Sequence, residues 1–201
     1  MSFEKQKEKY LQNLFKVDKS KKGSIDTLMI PLITSINEIP YFVTTSSCSG
    51  RITLLTKNED SRKNEVSWPF VSHEAVTYND ILKAAKETVM RTKDTIWLKM
   101  ESPILHVSAK TIEAGAELVD MGFKCGFKYA GIFSIKPERI MVQIFGTEKI
   151  ETVIAKDGEL LSSEKELEVL IDIANTKLKK SHVKLRALEK EIKNYKKNTK
   201  Q

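Results

Sequence analysis

The sequence predicts an α+β fold, a single domain of mixed, mainly antiparallel strands covered by helices and closed by a long C-terminal helix. Three observations carry that prediction. Of 201 residues 40% are apolar, which supplies a core for a chain of this length. Short β-branched runs of strand length alternate with helical patterns and come in neighbouring pairs split by turn residues. From Leu167 to Tyr195 apolar residues recur at alternating steps of four and three, the spacing of one continuous helical seam.

Taken in order, Phe3 to Phe15 places Tyr10, Leu11, Leu14 and Phe15 on one side of a short charged helix, and Asp18 to Gly23 has loop chemistry. Asp26 stands at a helix start. Thr27 to Glu38 spaces Leu28, Leu32, Ile33 and Ile36 for one face, with Pro31 tolerated in the first turns and Pro40 closing the helix. Tyr41 to Thr45 and Arg51 to Thr56 are strands on either side of a polar bend, and Lys57 to Glu65 is a charged loop. Val66 to Ser72, with Trp68, Phe70 and Val71, is a third strand ahead of a helix from about Asn79 to Arg91. Thr95 to Met100 and Ile104 to Ala109 are strands broken by Glu101-Ser102-Pro103, and Thr111 to Met121 is a helix ending at Gly122.

Gly126 to Ile135 and Arg139 to Phe145 form a hairpin around Lys136-Pro137-Glu138. A helix followed by a strand pair, at Thr27 to Thr56 and again at Thr111 to Phe145, suggests an internal duplication of a helix-hairpin unit. Ile150 to Ala155 is a short strand, and Ser163 with Glu166 three residues later is the capping box that starts the long helix. Its seam runs Leu167, Ile171, Ala174, Leu178, Ser181, Leu185, Leu188, Ile192 and Tyr195, interrupted only by Ser181. The expectation is packing on the domain early and a freer end beyond Ser181. That divides the chain into a body, 1–176, which includes the start of the helix from about 163, and a basic helical extension, 177–201. The seam also leaves open a weak dimer beside the monomer.

The net charge of +7 is concentrated at one end. Lys177 to Gln201 holds ten basic and two acidic residues, so the body is close to neutral. A basic arm on a neutral domain fits a polyanion, RNA or DNA, and equally fits a solvated lysine-rich helix. Nothing in the sequence suggests a signal peptide or a membrane span, so the expected location is the cytoplasm and no membrane partner is expected. Cys48 and Cys125 are expected as thiols. The fingerprints of dinucleotide and P-loop sites are missing, and the three histidines and two cysteines have no zinc-ligand spacing, so no metal is expected.

The most informative stretch is Thr44-Thr45-Ser46-Ser47-Cys48-Ser49-Gly50-Arg51. Its hydroxyls donate hydrogen bonds, Gly50 permits backbone geometries other residues forbid, and Arg51 can grip a carboxylate or phosphate bidentately. The competing reading is a tight connection whose hydroxyls satisfy turn backbone; Arg51 favours binding. Cys48 is a nucleophile or, more commonly for cysteine, a small buried residue. His73, between Ser72 and Glu74, is a carboxylate-oriented base or a surface histidine, and His106, opposite Leu105 and Val107 in the strand alternation, is a base or a hydrogen-bonded core histidine.

Read together, Lys22-Gly23-Ser24-Ile25-Asp26, the octapeptide, Trp68-Pro69-Phe70-Val71-Ser72-His73, Glu101, Leu105-His106-Val107, Gly122-Phe123, Gly131-Ile132 and Asn175 resemble the tRNA wybutosine-synthesizing protein 3 family. Ser46 to Arg51 is the specific part. The resemblance implies an S-adenosylmethionine-dependent methyltransferase acting on a ring nitrogen of a tricyclic wyosine intermediate beside the anticodon of phenylalanine tRNA. It implies cofactor or substrate binding by Asp26, Ser46, Ser47, Cys48, Ser49, Gly50, Arg51 and Gly131, with His73 or His106 as the base and Trp68 or Tyr129 as a stacking face. The RNA backbone would lie on Lys22, Lys177, Lys179, Lys180, Lys184 and Arg186. The alternative is a non-catalytic tRNA-binding module that supports a partner enzyme.

Overall fold

Alternating apolar residues force each strand to find cover on one side, and the strands do so in two separate groups. The computed structural model describes residues 2–14, 25–57 and 66–198. In chain order the elements are α1 (Phe3–Asn13), a 3-10 turn (Thr27–Met29), α2 (Ile30–Asn37), β1 (Phe42–Cys48), β2 (Arg51–Lys57), β3 (Ser67–Ser72) and α3 (Tyr78–Val89). They continue as β4 (Thr95–Glu101), β5 (Ile104–Ala109), α4 (Ile112–Lys124), β6 (Gly131–Lys136), β7 (Arg139–Phe145), β8 (Ile150–Lys156), β9 (Glu159–Leu160) and α5 (Glu164–Asn198). One sheet has the order β1-β5-β7-β6 and the other β3-β2-β4-β8-β9. The strand pairings within both are antiparallel, as the α+β prediction requires.

The described residues form two compact units. The first takes Met1–Ser49, Pro103–Thr147 and Ser181–Gln201, the second Gly50–Ser102 and Glu148–Lys180. In the first, Phe42, Leu105, Val107, Ile140, Val142 and Ile144 face a core closed by α2, α4 and Leu185, Leu188 and Ile192 of α5. In the second, Ile52, Leu54, Ile96, Leu98 and Met100 face a core closed by Ile81 and Ala85 of α3 and by Leu167, Ile171, Ala174 and Leu178 of α5.

Two expectations change here. Strands β1 and β2 enter different sheets, as do β4 and β5, so neither pair is a hairpin. Of the two segments compared as a duplication, only the second closes on itself, pairing Lys136 with Arg139 beside Glu138 at φ 58. The other change concerns α5, which stays buried past Ser181: Leu185, Leu188 and Ile192 are each 3% exposed or less. Each such side chain contributes about 1.5–3 kcal/mol by burial, so this half of the helix is core, not a free arm. Its start follows the sequence, with Ser163 Oγ accepting from Glu166 N–H while Glu166 Oε2 accepts from Ser163 N–H and Oγ–H. Its far end is held by a relay in which Tyr41 donates to Tyr195 and Tyr195 donates to Glu117; burial and that carboxylate push the Tyr195 phenol well up.

Helix α4 also ends later than Gly122. That glycine lies inside the helix, where an added Cβ would stand 3.1 Å from Ala130 Cβ. The terminator is Gly126, at φ +86, in a Schellman arrangement: Gly126 N–H donates to Phe123 O and Phe127 N–H to Gly122 O. Phe127 then anchors in the core, and the chain turns into β6.

Candidate functional site

Residues of a strand alternate between faces, so cross-strand register decides which side chains meet. In β1 a register shift between Thr44 and Ser46 leaves Thr45 as an extra residue. Without that bulge Ser46 would share the inner face with Thr44. With it, Ser46 pairs with His106 on the outer face. His106 pairs in turn with Gln143, and Gln143 with Gly131. Ser46, His106, Gln143 and Gly131 therefore form one row across the first unit's sheet.

The row is hydrogen-bonded. Gln143 Oε1 stands 3.1 Å from His106 Nε2, and Ser46 Oγ stands 2.8 Å from Nδ1. A carboxamide oxygen can only accept, so Nε2 carries the proton in the neutral ring and Nδ1 accepts from the Ser46 hydroxyl. The basic lone pair thus points to the exposed end of the row. His106 is half-buried on the outer face, with the Phe133 ring 5.3 Å away; it is hydrogen-bonded, yet outside the core formed by its neighbours Leu105 and Val107. The next row holds Cys48, Ile104 and Phe145, with Tyr129 stacked on Phe145 at 5.0 Å.

Other octapeptide groups are committed to structure. Asn37 Oδ1 accepts from Thr44 N–H, and Thr45 Oγ1 donates to His106 O. Ser47 pairs opposite Leu105 and is half-buried. Ser49 N–H and Oγ–H both donate to Asp26 Oδ2, at 2.8 and 3.0 Å, in a buried contact. Asp26 thus fixes the end of β1. Neither Cys48 nor Cys125 forms a disulfide, and burial pushes the Cys125 thiol up.

Past Ser49 the chain enters the second unit. Gly50 sits at φ +90, a conformation that favours glycine, and its carbonyl accepts from His73 Nδ1 at 2.9 Å. His73 follows β3 in a turn where Ser72 Oγ bonds the backbone of Glu74, and the Gly50 carbonyl is one of the groups that orient it. The segment just beyond is gripped by Asn175, which accepts from Val76 N–H and donates to Val76 O. Arg51, paired in register with Glu101, bonds that carboxylate through Nε and lies over the Trp68 ring, Cζ 4.5 Å from its centroid. Beside it on the outer face are Lys99 and Glu151. Lys149, then Lys99, holds the Glu151 carboxyl down at about 2. The Thr53 hydroxyl, two residues from Arg51, is buried without a hydrogen-bond partner.

Structure thus places Ser46, His106 and Gly131 in one row, and His73 against the carbonyl of Gly50, the residue before Arg51. Sequence reasoning missed Gln143, Phe133 and Phe145. Strand alternation put Gln143 and Phe145 on one face of β7, but nothing in a single sequence says which strand lies beside it. Among the expected RNA contacts, Lys22 lies outside the described residues, Lys179, Lys180 and Arg186 are exposed, and Lys177 and Lys184 are half-buried. On α5, Arg186, Lys190, Lys193 and Lys197 continue an exposed stripe away from the buried seam. No described helix is long and apolar enough to cross a membrane.

A family model described as methyltransferase TYW3 matches residues 5–194. The chain is 36% identical over 172 residues, 86% of it and 87% of the relative, to a Pyrococcus abyssi protein named tRNA(Phe) 7-((3-amino-3-carboxypropyl)-4-demethylwyosine(37)-N(4))-methyltransferase 1. It is 33% identical over 173 residues, 85% of it and 66% of the relative, to the tRNA wybutosine-synthesizing protein 3 homolog of Mus musculus. A solved protein of Pyrococcus horikoshii superposes with a TM-score of 0.85 at 34% identity, covering 95% of this chain and 96% of that one.

Proposed function

The chain belongs to the methyltransferase TYW3 family, and from that premise we propose how its residues carry out a tRNA methylation. It is a tRNA(Phe) wyosine-derivative methyltransferase, placing a methyl group on a ring nitrogen of the tricyclic intermediate. The observation that carries this is 36% identity over 98% of the chain to a Thermococcus sibiricus protein named for that N(4) methylation.

Within the proposal, the methyl donor is S-adenosylmethionine, which when bound supplies an electrophilic methyl group on a sulfonium. The outer face of the second unit's sheet fits such a molecule. Arg51 suits a carboxylate, Glu101 an ammonium, the Trp68 ring a purine face, and the unpartnered Thr53 hydroxyl another polar atom. In the first unit, His106 takes the ring-nitrogen proton at Nδ1, with the Ser46 hydroxyl beside that lone pair and Gln143 fixing the tautomer. Asp26, Ser49 and His73 hold the backbone that links these residues. The exposed cations of α5, Lys179, Lys180, Arg186, Lys190, Lys193 and Lys197, take the tRNA backbone.

The test is incubation with methyl-labelled S-adenosylmethionine and tRNA(Phe) that carries or lacks the tricyclic base, followed by nucleoside analysis. Label is expected in the tricyclic nucleoside alone. Tight tRNA binding with no labelled nucleoside would favour the non-catalytic alternative.

A further inference from the structure

An imidazole exchanges protons at its two ring nitrogens and nowhere else, and both nitrogens of His106 have a partner. Nε2 stands 3.1 Å from Gln143 Oε1, and Nδ1 stands 2.8 Å from Ser46 Oγ. Each nitrogen offers one site in the ring plane, so while both bonds stand a proton reaches the imidazole only through one of these partners. The two partners are not equivalent. A carboxamide oxygen is too weak a base to take up a proton, and the nitrogen it faces already carries one. A hydroxyl donates one proton and accepts another at the same oxygen, so Ser46 can pass a proton on as it receives the next.

The backbone aims Ser46 for that task. Strand β1 is an edge of the first unit's sheet, and Ser46 is exposed there, whereas His106 is half-buried beside the Phe133 ring. The bulge at Thr45 is what turns Ser46 to the outer face. Thr45 Oγ1 donates to His106 O at 3.3 Å, which ties the bulge to the strand carrying the imidazole. The neighbouring hydroxyls serve the fold: Thr44 Oγ1 donates to Asn37 Oδ1 and Ser49 Oγ to Asp26 Oδ2. The Ser46 hydroxyl instead meets a side chain that changes charge near neutral pH. A serine that only decorated the surface would need neither the bulge nor the imidazole.

We propose that Ser46 is a catalytic residue that relays the ring-nitrogen proton of the substrate to His106. The inference rests on the methyltransferase reading above. As the nitrogen–methyl bond forms and the sulfur–methyl bond breaks, with its electron pair left on sulfur, the proton of that nitrogen passes to Ser46 Oγ. The Ser46 hydroxyl proton passes at the same time to His106 Nδ1. The serine is restored, the imidazole becomes an imidazolium with a proton on each nitrogen, and it returns the extra proton to solvent. Gln143 is the positioning residue: by accepting from Nε2–H it keeps the Nδ1 lone pair turned to Ser46.

The test combines single-turnover transfer of labelled methyl to tRNA(Phe) carrying the tricyclic base, filter binding of the same tRNA, and nitrogen-15 NMR of His106 in the ligand-free protein. Thermal melts check that the variants fold. Ser46→Ala is expected to slow transfer by about 10²-fold, the low end for a general base because water can partly replace the hydroxyl, while Ser46→Thr stays within about tenfold of the wild type. Both are expected to bind tRNA as the wild type does, and the wild-type imidazole is expected to carry its proton on Nε2. A Ser46→Ala rate within about threefold of the wild type, a Ser46→Thr as slow as Ser46→Ala, or a loss of tRNA affinity as large as the loss of rate would overturn the relay. A neutral ring protonated on Nδ1 would overturn it as well. A wild type that transfers methyl undiminished by Ser46→Ala overturns the relay alone. A wild type that transfers none overturns the functional reading and the relay with it.

Discussion

In the first unit the outer face of the sheet carries Ser46, His106, Gln143 and Gly131 in one cross-strand row without a formal charge, whereas the second unit's carries Arg51, Glu101, Lys99 and Glu151, charges held in pairs. Both sheets are antiparallel, both bury their inner face under helices, and both use α5. The difference lies in what each outer face can do. An imidazole held by a hydroxyl and a carboxamide can gain or lose a proton without breaking an ion pair. Paired charges form a fixed electrostatic template, suited to holding a zwitterion and unsuited to proton transfer. Within the proposal the first face serves proton transfer and the second holds the methyl donor.

The sharpest way to break that division is a pair of substitutions read in steady-state kinetics. His106→Ala is expected to lower kcat by about 10²–10⁴-fold, the usual value of a general base, with the KM for the donor little changed. Arg51→Ala is expected to raise the donor KM by about 10–100-fold, from the 1.5–3 kcal/mol of a charged hydrogen bond, with a smaller effect on kcat. Identical effects of the two on kcat and KM would end the division of labour.

A smaller effect concerns RNA backbone. Replacing Arg186, Lys190, Lys193 and Lys197 together by Gln is expected to weaken tRNA binding with or without the tricyclic base. It should also flatten the salt dependence, by about one in log–log slope for each phosphate no longer neutralised. An unchanged slope would remove α5 from the interface. Neutralisation is the proper test, because deleting Lys177 to Gln201 also deletes Leu185, Leu188 and Ile192 from the core.

The smallest effect belongs to the charged face. Glu151, held down at about 2 against an ordinary 4.5, stabilises the fold above pH 4.5 and loses that contribution as pH falls toward 2. Glu151→Gln should therefore melt slightly below the wild type at pH 7, with the gap closing between pH 4.5 and 2. The gap stays small because Lys149 is exposed and screened. A gap that persists at pH 2 would mean that packing, not charge, is responsible.

Much of the fold was legible because local rules govern it. Strand β4 alternates buried and half-buried residues along its whole length, and the α5 seam is buried at each heptad position from Leu167 to Ile192. The capping box at Ser163 needed only residues three apart. Ser46, His106 and Gly131 were legible as candidates through their motif, but not as one row. Arg51 was legible as a cation, and its commitment to Glu101 and Trp68 was not, since those partners lie 50 and 17 residues away in sequence.

By itself, then, the sequence determined the elements, the buried faces, the helix seam and the family, because periodicity, capping and motif chemistry act over a few residues. Only tertiary structure decided that β1 and β2 part into different sheets at Ser49-Gly50. It likewise decided that a bulge at Thr45 turns Ser46 toward His106, and that Gln143 and Phe133 stand against His106. Those outcomes depend on cross-strand register between residues up to 67 positions apart, as for Phe42 and Ala109. A one-residue shift there moves a side chain to the other face without altering any local pattern.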